Sequence, residues 1–216
     1  MTTRGRFITL EGGEGAGKST QQRRLAAWLR AGGLEVVETR EPGGSPGAEE
    51  IRRLLVTGDA GRWDPMTEAL LIFAARRDHL SQTIEPALAR GAWVVCDRFV
   101  DSTMAYQGYA QGLGRDAVET LYRLVVGDLK PDLTLVLDIA VDEGLQRAQA
   151  RNGAAAHGED RYEQMDRGFH ERLRAGFRDI VAREPRRCVL IDAAGDADAV
   201  AARVAAAVSE RLGVPA

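Results

Sequence analysis

The stretch that decides the fold is Glu11-Gly12-Gly13-Glu14-Gly15-Ala16-Gly17-Lys18-Ser19-Thr20. It lies between the apolar run 7–10 and a helical pattern, and it matches G-x-x-x-x-G-K-[ST] over residues 12–19. The glycines let the backbone fold tightly, so that several N–H groups and the positive end of the following helix point into one cavity. A glycine-rich turn without a ligand is the alternative, but it leaves the Lys18–Ser19 pair unexplained. The stretch therefore predicts a phosphate-binding loop in which Lys18 reaches the β- and γ-phosphates and Ser19 ligates Mg²⁺.

Length and composition predict one globular domain over residues 1–216. Hydrophobic residues make up 44% and charged residues 28% of the chain, and the net charge of −3 argues against a general nucleic-acid binder. Apolar runs fall short of the roughly 18 residues of a membrane span, and residues 1–6 lead into the first strand without a signal sequence, so we expect a cytoplasmic protein. Cys96 and Cys188 lie in apolar runs and are expected to be buried rather than paired or metal-bound.

Apolar runs alternate with helical patterns along the chain. Strands are predicted at 6–10, 34–39, 92–96, 133–138 and 188–191, and helices at 18–30, 48–55, 67–90, 117–126, 141–150, 162–183 and 197–212. Runs rich in Val, Ile and Leu are typical of parallel strands covered on both faces. The alternation predicts a doubly wound α/β fold with a five-stranded parallel sheet, whose ligands bind beyond the carboxyl ends of the strands.

Charged residues follow the second and third predicted strands. Arg40, in the run 39–44 (Thr-Arg-Glu-Pro-Gly-Gly), lies where a guanidinium can grip a phosphate, although a solvated arginine beside a turn is equally compatible. Asp97 follows a buried strand and fits a magnesium-shell carboxylate, and Arg98 beside it can hold a second phosphate. We expect these side chains to meet the phosphate loop at one edge of the sheet.

Two helical stretches are candidates for binding a base and a sugar. Phe73 and Arg77 are four residues apart, so an aromatic ring and a guanidinium share one helix face, although Phe73 alone fits a core position better. Ser102, Tyr106 and Gln107 offer hydroxyls and an amide, for which helix capping is the alternative near residue 102.

Together these motifs closely resemble the thymidylate kinase family, from Phe7 to about Ala194 and in the family's order. The resemblance implies a P-loop nucleoside monophosphate kinase fold with a mobile lid, and an enzyme that converts dTMP to dTDP with Mg-ATP in dTTP biosynthesis. It implies a homodimer that uses helix faces around 69–80 and 102–111, with no nucleic-acid or membrane partner. It also implies Mg²⁺ bound by Ser19 and Asp97, and ATP bound by Gly12, Gly13, Glu14, Gly15, Ala16, Gly17, Lys18, Ser19 and Arg147.

The acceptor site and the lid follow from the same resemblance. The residues expected to bind dTMP are Glu14, Arg40, Phe73, Arg77, Arg98, Ser102, Tyr106 and Gln107. One kind of the family carries a catalytic arginine inside the phosphate loop; here that position is Gly15, so the chain is similar to the bacterial kind, with its arginines in a lid at about 147–161. The expected catalytic residues are Lys18, Arg98, Arg151 and Arg161.

Two other functions remain open from the sequence. A deoxynucleoside kinase or another small-molecule kinase of this fold would use the same phosphate loop, but it would not need two phosphate-gripping arginines at the acceptor site. A nucleotide-dependent switch without an acceptor would hydrolyse ATP slowly and independently of dTMP. An acceptor panel distinguishes all three.

Overall fold

The computed structural model describes residues 4–58, 61–152 and 161–214, and for residues 151 and 152 it describes the backbone alone. Its five strands are β1 (Phe7–Glu11), β2 (Val36–Arg40), β3 (Trp93–Asp97), β4 (Leu133–Asp138) and β5 (Cys188–Asp192). They form one parallel sheet in the order β2-β3-β1-β4-β5. All five predicted strands are confirmed to within about two residues.

The helices cover both faces of this sheet. They are α1 (Lys18–Ala31), α2 (Pro46–Val56), α3 (Pro65–His79), α4 (Glu85–Ala89), α5 (Val100–Thr103), α6 (Arg115–Val125), α7 (Val141–Asn152), α8 (Arg167–Arg183) and α9 (Ala197–Leu212). The predicted helix 67–90 is α3 and α4 joined by a π-helical segment, Leu80–Ile84. A second π-helical segment, Met104–Ala110, extends α5, and the predicted helix 162–183 begins only at Arg167. None of the described helices is long and apolar enough to cross a bilayer.

Successive residues along a strand contribute their side chains to two separate hydrophobic cores. Phe7 and Val94 point to the face covered by α3, α8 and the Met104–Ala110 segment, whereas Ile8 and Val95 point to the face covered by α1 and α9. This alternation follows from the two-residue period of a strand, and because both faces are buried the strands read as continuous apolar runs. Cys96, a buried free thiol, packs in the first core as expected.

The carboxyl ends of the strands bring charge to one edge of the sheet. The five strands end at Glu11, Arg40, Asp97, Asp138 and Asp192. In the register, Asp97 of β3 lies beside Leu10 of β1 and Arg40 of β2, so the phosphate loop and the two charged motifs start from neighbouring positions.

A buried ion pair fixes the path of the chain after β3. Arg187 binds Asp101 with both guanidinium nitrogens, at 2.6 and 2.8 Å, and also donates to Thr134 Oγ1 at 2.9 Å. The fork geometry matches a carboxylate and compensates for burying its charge. It ties the start of α5 to β4 and to the loop before β5.

Candidate active site

The phosphate loop 12–17 wraps around the Lys18 ammonium. Lys18 Nζ donates to the carbonyls of Gly12 at 3.1 Å and Gly13 at 2.8 Å, and its side chain is buried. Gly12, Gly15 and Gly17 have φ angles of 136°, 67° and 90°, which residues with a Cβ rarely adopt. The backbone therefore holds one ammonium inside a tight glycine loop at the N-terminus of α1, as the sequence predicts.

Close packing against α7 explains the glycine at position 15. A Cβ at Gly15 would lie 1.9 Å from the carbonyl oxygen of Gly144, and a Cβ at Gly144 would lie 2.6 Å from the carbonyl oxygen of Glu14. Two glycines thus let the phosphate loop and α7 touch through their backbones. Position 15 cannot carry an arginine, or any other side chain, in this arrangement.

A hydroxyl and a carboxylate meet beside the loop. Ser19 Oγ donates to Asp97 Oδ2 at 2.7 Å, which joins the start of α1 to the end of β3. Mg²⁺ prefers oxygen ligands and keeps several waters, so it uses one or two protein ligands together with phosphate oxygens. Within the described residues no cluster of three metal-ligating side chains occurs. The Ser19–Asp97 pair therefore fits a magnesium ion shared with phosphate groups.

Arg98 is the most connected side chain of the site. Its Nη1 donates to Gly12 O and Ser102 Oγ, both at 3.0 Å, and its Nη2 donates to Glu14 Oε1 at 3.0 Å and Tyr106 OH at 2.9 Å. Arg98 has a φ of 69°, unusual for a residue with a side chain. Such conformations are often held in place at functional sites by the surrounding contacts.

The two charges beside Arg98 titrate abnormally. Burial would raise the pKa of Glu14, but Arg98, Lys18 and the Tyr106 hydroxyl outweigh it and lower that pKa to about 2. Burial, reinforced by Arg98, lowers the pKa of Lys18 to about 8 against the opposing pull of Glu14 and Asp97. Glu14 is therefore a firmly ionised carboxylate, whereas the Lys18 ammonium gains from any additional negative charge placed next to it.

A pocket opens next to Arg98, between α2, α3 and the Met104–Ala110 segment. Of the predicted acceptor residues, Glu14, Arg98, Ser102, Tyr106 and Gln107 line it. Sequence reasoning missed its other polar lining residues: Glu41, Arg52, Arg76, Thr103, Tyr162 and Glu163. The sequence therefore located the pocket but identified fewer than half of its polar lining residues.

The expected base site at Phe73 and Arg77 is not where the pocket lies. Phe73 is in the core, and Arg77 is 54% exposed and pairs with Glu85 at 3.6 Å. The α3 face that lines the pocket carries Ile72 and Arg76 instead, also four residues apart. The expectation was therefore one residue out of register, which on a helix is a rotation of about 100°.

Arg76, unlike its neighbour Arg77, is buried. Its Nε donates to Glu41 Oε2 at 2.7 Å and its Nη2 to Thr103 Oγ1 at 3.0 Å, while Glu41 Oε1 lies 3.0 Å from His79 Nδ1. The guanidinium also packs over the Phe73 ring, 4.6 Å from its centroid. Arg76 is thus held at the pocket wall by a carboxylate, a hydroxyl and an aromatic face.

Arg40 was expected to hold a phosphate, but it lies outside the pocket. As the last residue of β2 it points outwards, is 54% exposed in its side chain, and binds Glu49 Oε2 at 3.0 Å. Arg52 of α2 lines the pocket instead and donates to Pro42 O at 2.9 Å. The amphipathic pattern of α2 could not separate Arg52 from its neighbour Arg53, because which one faces the pocket depends on the packing of α2 against α3.

The structure places the expected lid arginines in different environments, and it describes the side chains of only two of the three. Arg147, expected to bind ATP, donates to Ala193 O at 3.2 Å and Gly195 O at 3.1 Å, in the loop after β5. Arg161 is buried, pairs with Glu68 at 2.5 Å and donates to Leu55 O at 3.0 Å, so its expected catalytic position is wrong in this structure. The side chain of Arg151 and residues 153–160 lie outside the described part of the chain.

Comparisons with known proteins support the sequence resemblance. A model of the family described as thymidylate kinase matches residues 10–204. Thymidylate kinase of Caulobacter vibrioides is 57% identical over 212 residues, covering 98% of this chain and all of that protein. The thymidylate kinase of Bradyrhizobium sp. (strain ORS 278) is 55% identical and covers 97% of this chain and 92% of its own length. A crystal structure of thymidylate kinase from Ehrlichia chaffeensis matches with a TM-score of 0.77 and 36% identity, covering 95% of this chain and 99% of that one.

The low pKa of Glu14 predicts a pH-dependent contribution to stability. Because the pKa falls from 4.5 to about 2 on folding, ionised Glu14 stabilises the protein above about pH 4.5, and the stabilisation is lost as the pH falls towards 2. Glu14→Gln should therefore lower the free energy of unfolding by about 3 kcal/mol at neutral pH, and by progressively less at lower pH. Urea denaturation at a series of pH values measures this difference. Glu171→Gln, which breaks an exposed pair with Arg167, should change stability by less than about 1 kcal/mol throughout.

Proposed function

Because the chain belongs to the thymidylate kinase family, we propose that it transfers the γ-phosphoryl group of Mg-ATP to dTMP, giving ADP and dTDP, in the cytoplasm. One observation carries the proposal: the Arg98 guanidinium touches the phosphate loop at Gly12 and at the same time lines the pocket beside it. Phosphoryl transfer requires two anionic reactants held in line with their charge neutralised, and little covalent chemistry from the protein. A cation between donor and acceptor sites meets that requirement.

On the donor side, the loop 12–19 binds the phosphates of ATP. Its N–H groups and the α1 N-terminus attract the anion, and Lys18 neutralises the β- and γ-oxygens. Lys18 would exchange the carbonyls of Gly12 and Gly13 for a phosphate, whose negative charge favours the ammonium form that burial and Arg98 disfavour. Arg147, held against Ala193 and Gly195, borders the adenine.

Ser19 and Asp97 would hold the magnesium ion. The ion supplies charge neutralisation between the β- and γ-phosphates when it is bound. Asp97 Oδ2 and Ser19 Oγ already lie 2.7 Å apart, and the carboxylate fixes the hydroxyl in place.

On the acceptor side, two guanidinium groups support a nucleotide rather than a nucleoside as substrate. Arg98 and Arg52 both line the pocket, and we propose that they hold the phosphate of dTMP, with Arg52 in the place expected for Arg40. Glu14, ionised and bound to Tyr106 OH at 2.5 Å, accepts a hydrogen bond from the 3′-hydroxyl of the sugar. A nucleoside lacks the phosphate that these two guanidinium groups would bind, so nucleotide and nucleoside acceptors distinguish the two kinds of kinase.

Two buried polar atoms without partners support the binding of thymine. Among the described residues, Arg76 Nη1 and Gln107 Oε1 have no hydrogen-bond partner, and both side chains line the pocket. Leaving such groups unpaired is costly, so a ligand that satisfies both is favoured. Thymine carries an acceptor, O4, next to a donor, N3–H, and therefore matches a guanidinium N–H beside an amide oxygen.

We propose that Arg151 supplies the transition-state cation that Gly15 cannot. Arg151 follows Gly144 by seven residues, which places it on the same side of α7 as the glycine that touches the phosphate loop. Closure over the nucleotides would exclude water, which otherwise takes the phosphoryl group.

A homodimer through α3 and α6 is the final part of the proposal. The outer side of α3 exposes Met66 and Leu70, at 40% and 51%, and Leu124 of α6 is 80% exposed. Exposed apolar side chains on neighbouring helices suggest an interface. Residues 102–111, also expected at the interface, are almost entirely buried within the protomer, so we propose no contribution from them.

The activity itself is tested by coupled measurement of ADP release against a panel of nucleoside monophosphates and nucleosides. We expect release that depends on dTMP. Lys18→Ala should lower kcat by at least about 10²-fold with an unchanged thermal unfolding midpoint, because the charge on the transferring group loses its counter-ion. Activity within threefold of wild type in Lys18→Ala, or ADP release independent of any acceptor, would refute the proposal.

The lid assignment predicts different consequences for two arginines. Arg151→Ala should lower kcat by about 10³–10⁵-fold, as for an arginine finger, with little change in dTMP binding. Arg161→Ala should instead lower the free energy of unfolding by roughly 3–5 kcal/mol, because it leaves Glu68 buried without its cation. Arg167→Ala, at an exposed pair, serves as the matched control. The assignment fails if Arg161→Ala abolishes turnover without loss of stability while Arg151→Ala is mild.

Base selectivity tests whether Arg76, rather than its neighbour Arg77, recognises the base. The wild type should prefer dTMP over dUMP by about 10–200-fold in kcat/KM, because dUMP lacks one methyl contact. It should reject dCMP more strongly, because the hydrogen-bonding edge of cytosine leaves buried donors of the pocket unpaired. Arg76→Met should narrow the ratio of dTMP to dCMP mainly by lowering kcat/KM for dTMP. Arg77→Met, the matched surface variant, should leave the ratio unchanged. The assignment of the base site to Arg76 would be refuted if Arg77→Met narrowed the ratio of dTMP to dCMP and Arg76→Met did not. It would also be refuted if wild-type kcat/KM for dCMP were within tenfold of that for dTMP.

The proposed interface predicts that a single charge disrupts dimerisation. Leu124→Glu should shift the sedimenting species from dimer towards monomer, because burying the carboxylate in an apolar contact is costly. Leu190→Glu, at an equally apolar surface position on β5 that is 40% exposed, should remain dimeric. A monomeric wild type at micromolar concentration would contradict this part of the proposal.

A further inference from the structure

A buried carboxylate lies behind the pocket wall. Glu68, in the first turn of α3, is fully buried. Its Oε1 accepts from Gln107 Nε2 at 2.6 Å, Gln111 Nε2 at 2.9 Å and Tyr162 OH at 2.8 Å, and its Oε2 faces Arg161 Nη2 at 2.5 Å. Four groups from two other segments of the chain thus converge on one side chain that is not itself among the pocket-lining residues.

The polarity of this cluster determines how Gln107 is oriented. A side-chain amide can turn over and exchange its NH₂ for its oxygen, and only its partners decide between the two orientations. An ionised carboxylate accepts hydrogen bonds and cannot donate them. Glu68 therefore holds Nε2 of Gln107, which leaves Oε1 of Gln107 as the unpaired atom.

We infer that Glu68 is a positioning residue that selects the base by fixing the amide of Gln107. With its NH₂ committed to Glu68, Gln107 presents an acceptor to the pocket, and an acceptor there favours a base with N3–H, such as thymine or uracil, over cytosine, whose N3 is itself an acceptor. The inference rests on the proposed function, since it concerns how the same pocket discriminates among acceptors. Arg76 reads the neighbouring position of the base independently.

The ion pair of Glu68 with Arg161 makes the effect of a Glu68→Gln substitution predictable. In Glu68→Gln the new amide must turn its oxygen towards the guanidinium of Arg161, because an NH₂ placed there would oppose another donor. Its NH₂ then faces Gln107, Gln111 and Tyr162. Gln107 must turn over to accept this NH₂, and it then presents a donor to the base.

The first experiment measures kcat and KM of wild type and Glu68→Gln with dTMP, dUMP and dCMP. We expect kcat/KM for dTMP and dUMP to fall by at least about tenfold, mainly through KM, while dCMP falls less, so that the ratio of dTMP to dCMP narrows. Gln111→Leu removes another donor to Glu68 from a side chain outside the pocket lining, and it should leave the ratio unchanged.

The second experiment exchanges the carboxylate and the amide between positions 68 and 107. In the double variant Glu68→Gln with Gln107→Glu, the carboxylate at 107 accepts from the amide at 68 and again presents an acceptor to the base, so the preference for dTMP should return. Gln107→Glu alone places two carboxylates against each other and should lose that preference. The double variant can be compared with this single variant even if Glu68→Gln does not fold.

Two outcomes would overturn the inference. One is a Glu68→Gln enzyme that loses activity on all three nucleotides by the same factor. The other is a double variant that selects dTMP no better than Gln107→Glu alone. Failure of the proposed function is a separate result, because it would appear as a wild-type enzyme that does not phosphorylate dTMP.

Discussion

The contact of the Arg98 guanidinium with the phosphate loop is the interaction on which the rest of the site depends. A buried guanidinium has to find several acceptors, and Arg98 finds them at Gly12, Glu14, Ser102 and Tyr106. These acceptors come from the loop after β1 and from the segment after β3, so a single guanidinium links the two. The same charge, together with Lys18 and the Tyr106 hydroxyl, outweighs burial and lowers the pKa of Glu14 to about 2.

In and behind the wall of the acceptor pocket, buried carboxylates orient its polar groups. Glu41 holds Arg76, and Glu68 holds Gln107 and the buried Arg161. Buried ion pairs contribute little net stability, because desolvation offsets most of their attraction. What they contribute here is pre-organisation: a side chain held on one side by a carboxylate presents a fixed donor or acceptor to a ligand, and no binding energy is needed to order it.

The glycines at 15 and 144 connect the loop to the rest of the donor side. Their backbones approach so closely that neither position tolerates a Cβ. This contact explains in physical terms why a catalytic arginine cannot sit inside the loop of this chain. It also brings the first turn of α7 against the backbone of the phosphate loop.

The sequence by itself determined the five parallel strands, the phosphate loop, the Ser19–Asp97 pair and the family, because each depends on local pattern: apolar runs, glycine spacing, and the position of an acid at a strand end. Only the tertiary structure decided which arginines enter the pocket. Periodicity gives the angle between side chains on a helix but not the rotation of that helix against its neighbours, so Arg76 could not be separated from Arg77 by sequence. The burial of Arg161 was likewise unreadable, because its partner Glu68 is distant in sequence and meets it only when α3 packs beneath the segment that begins at residue 161.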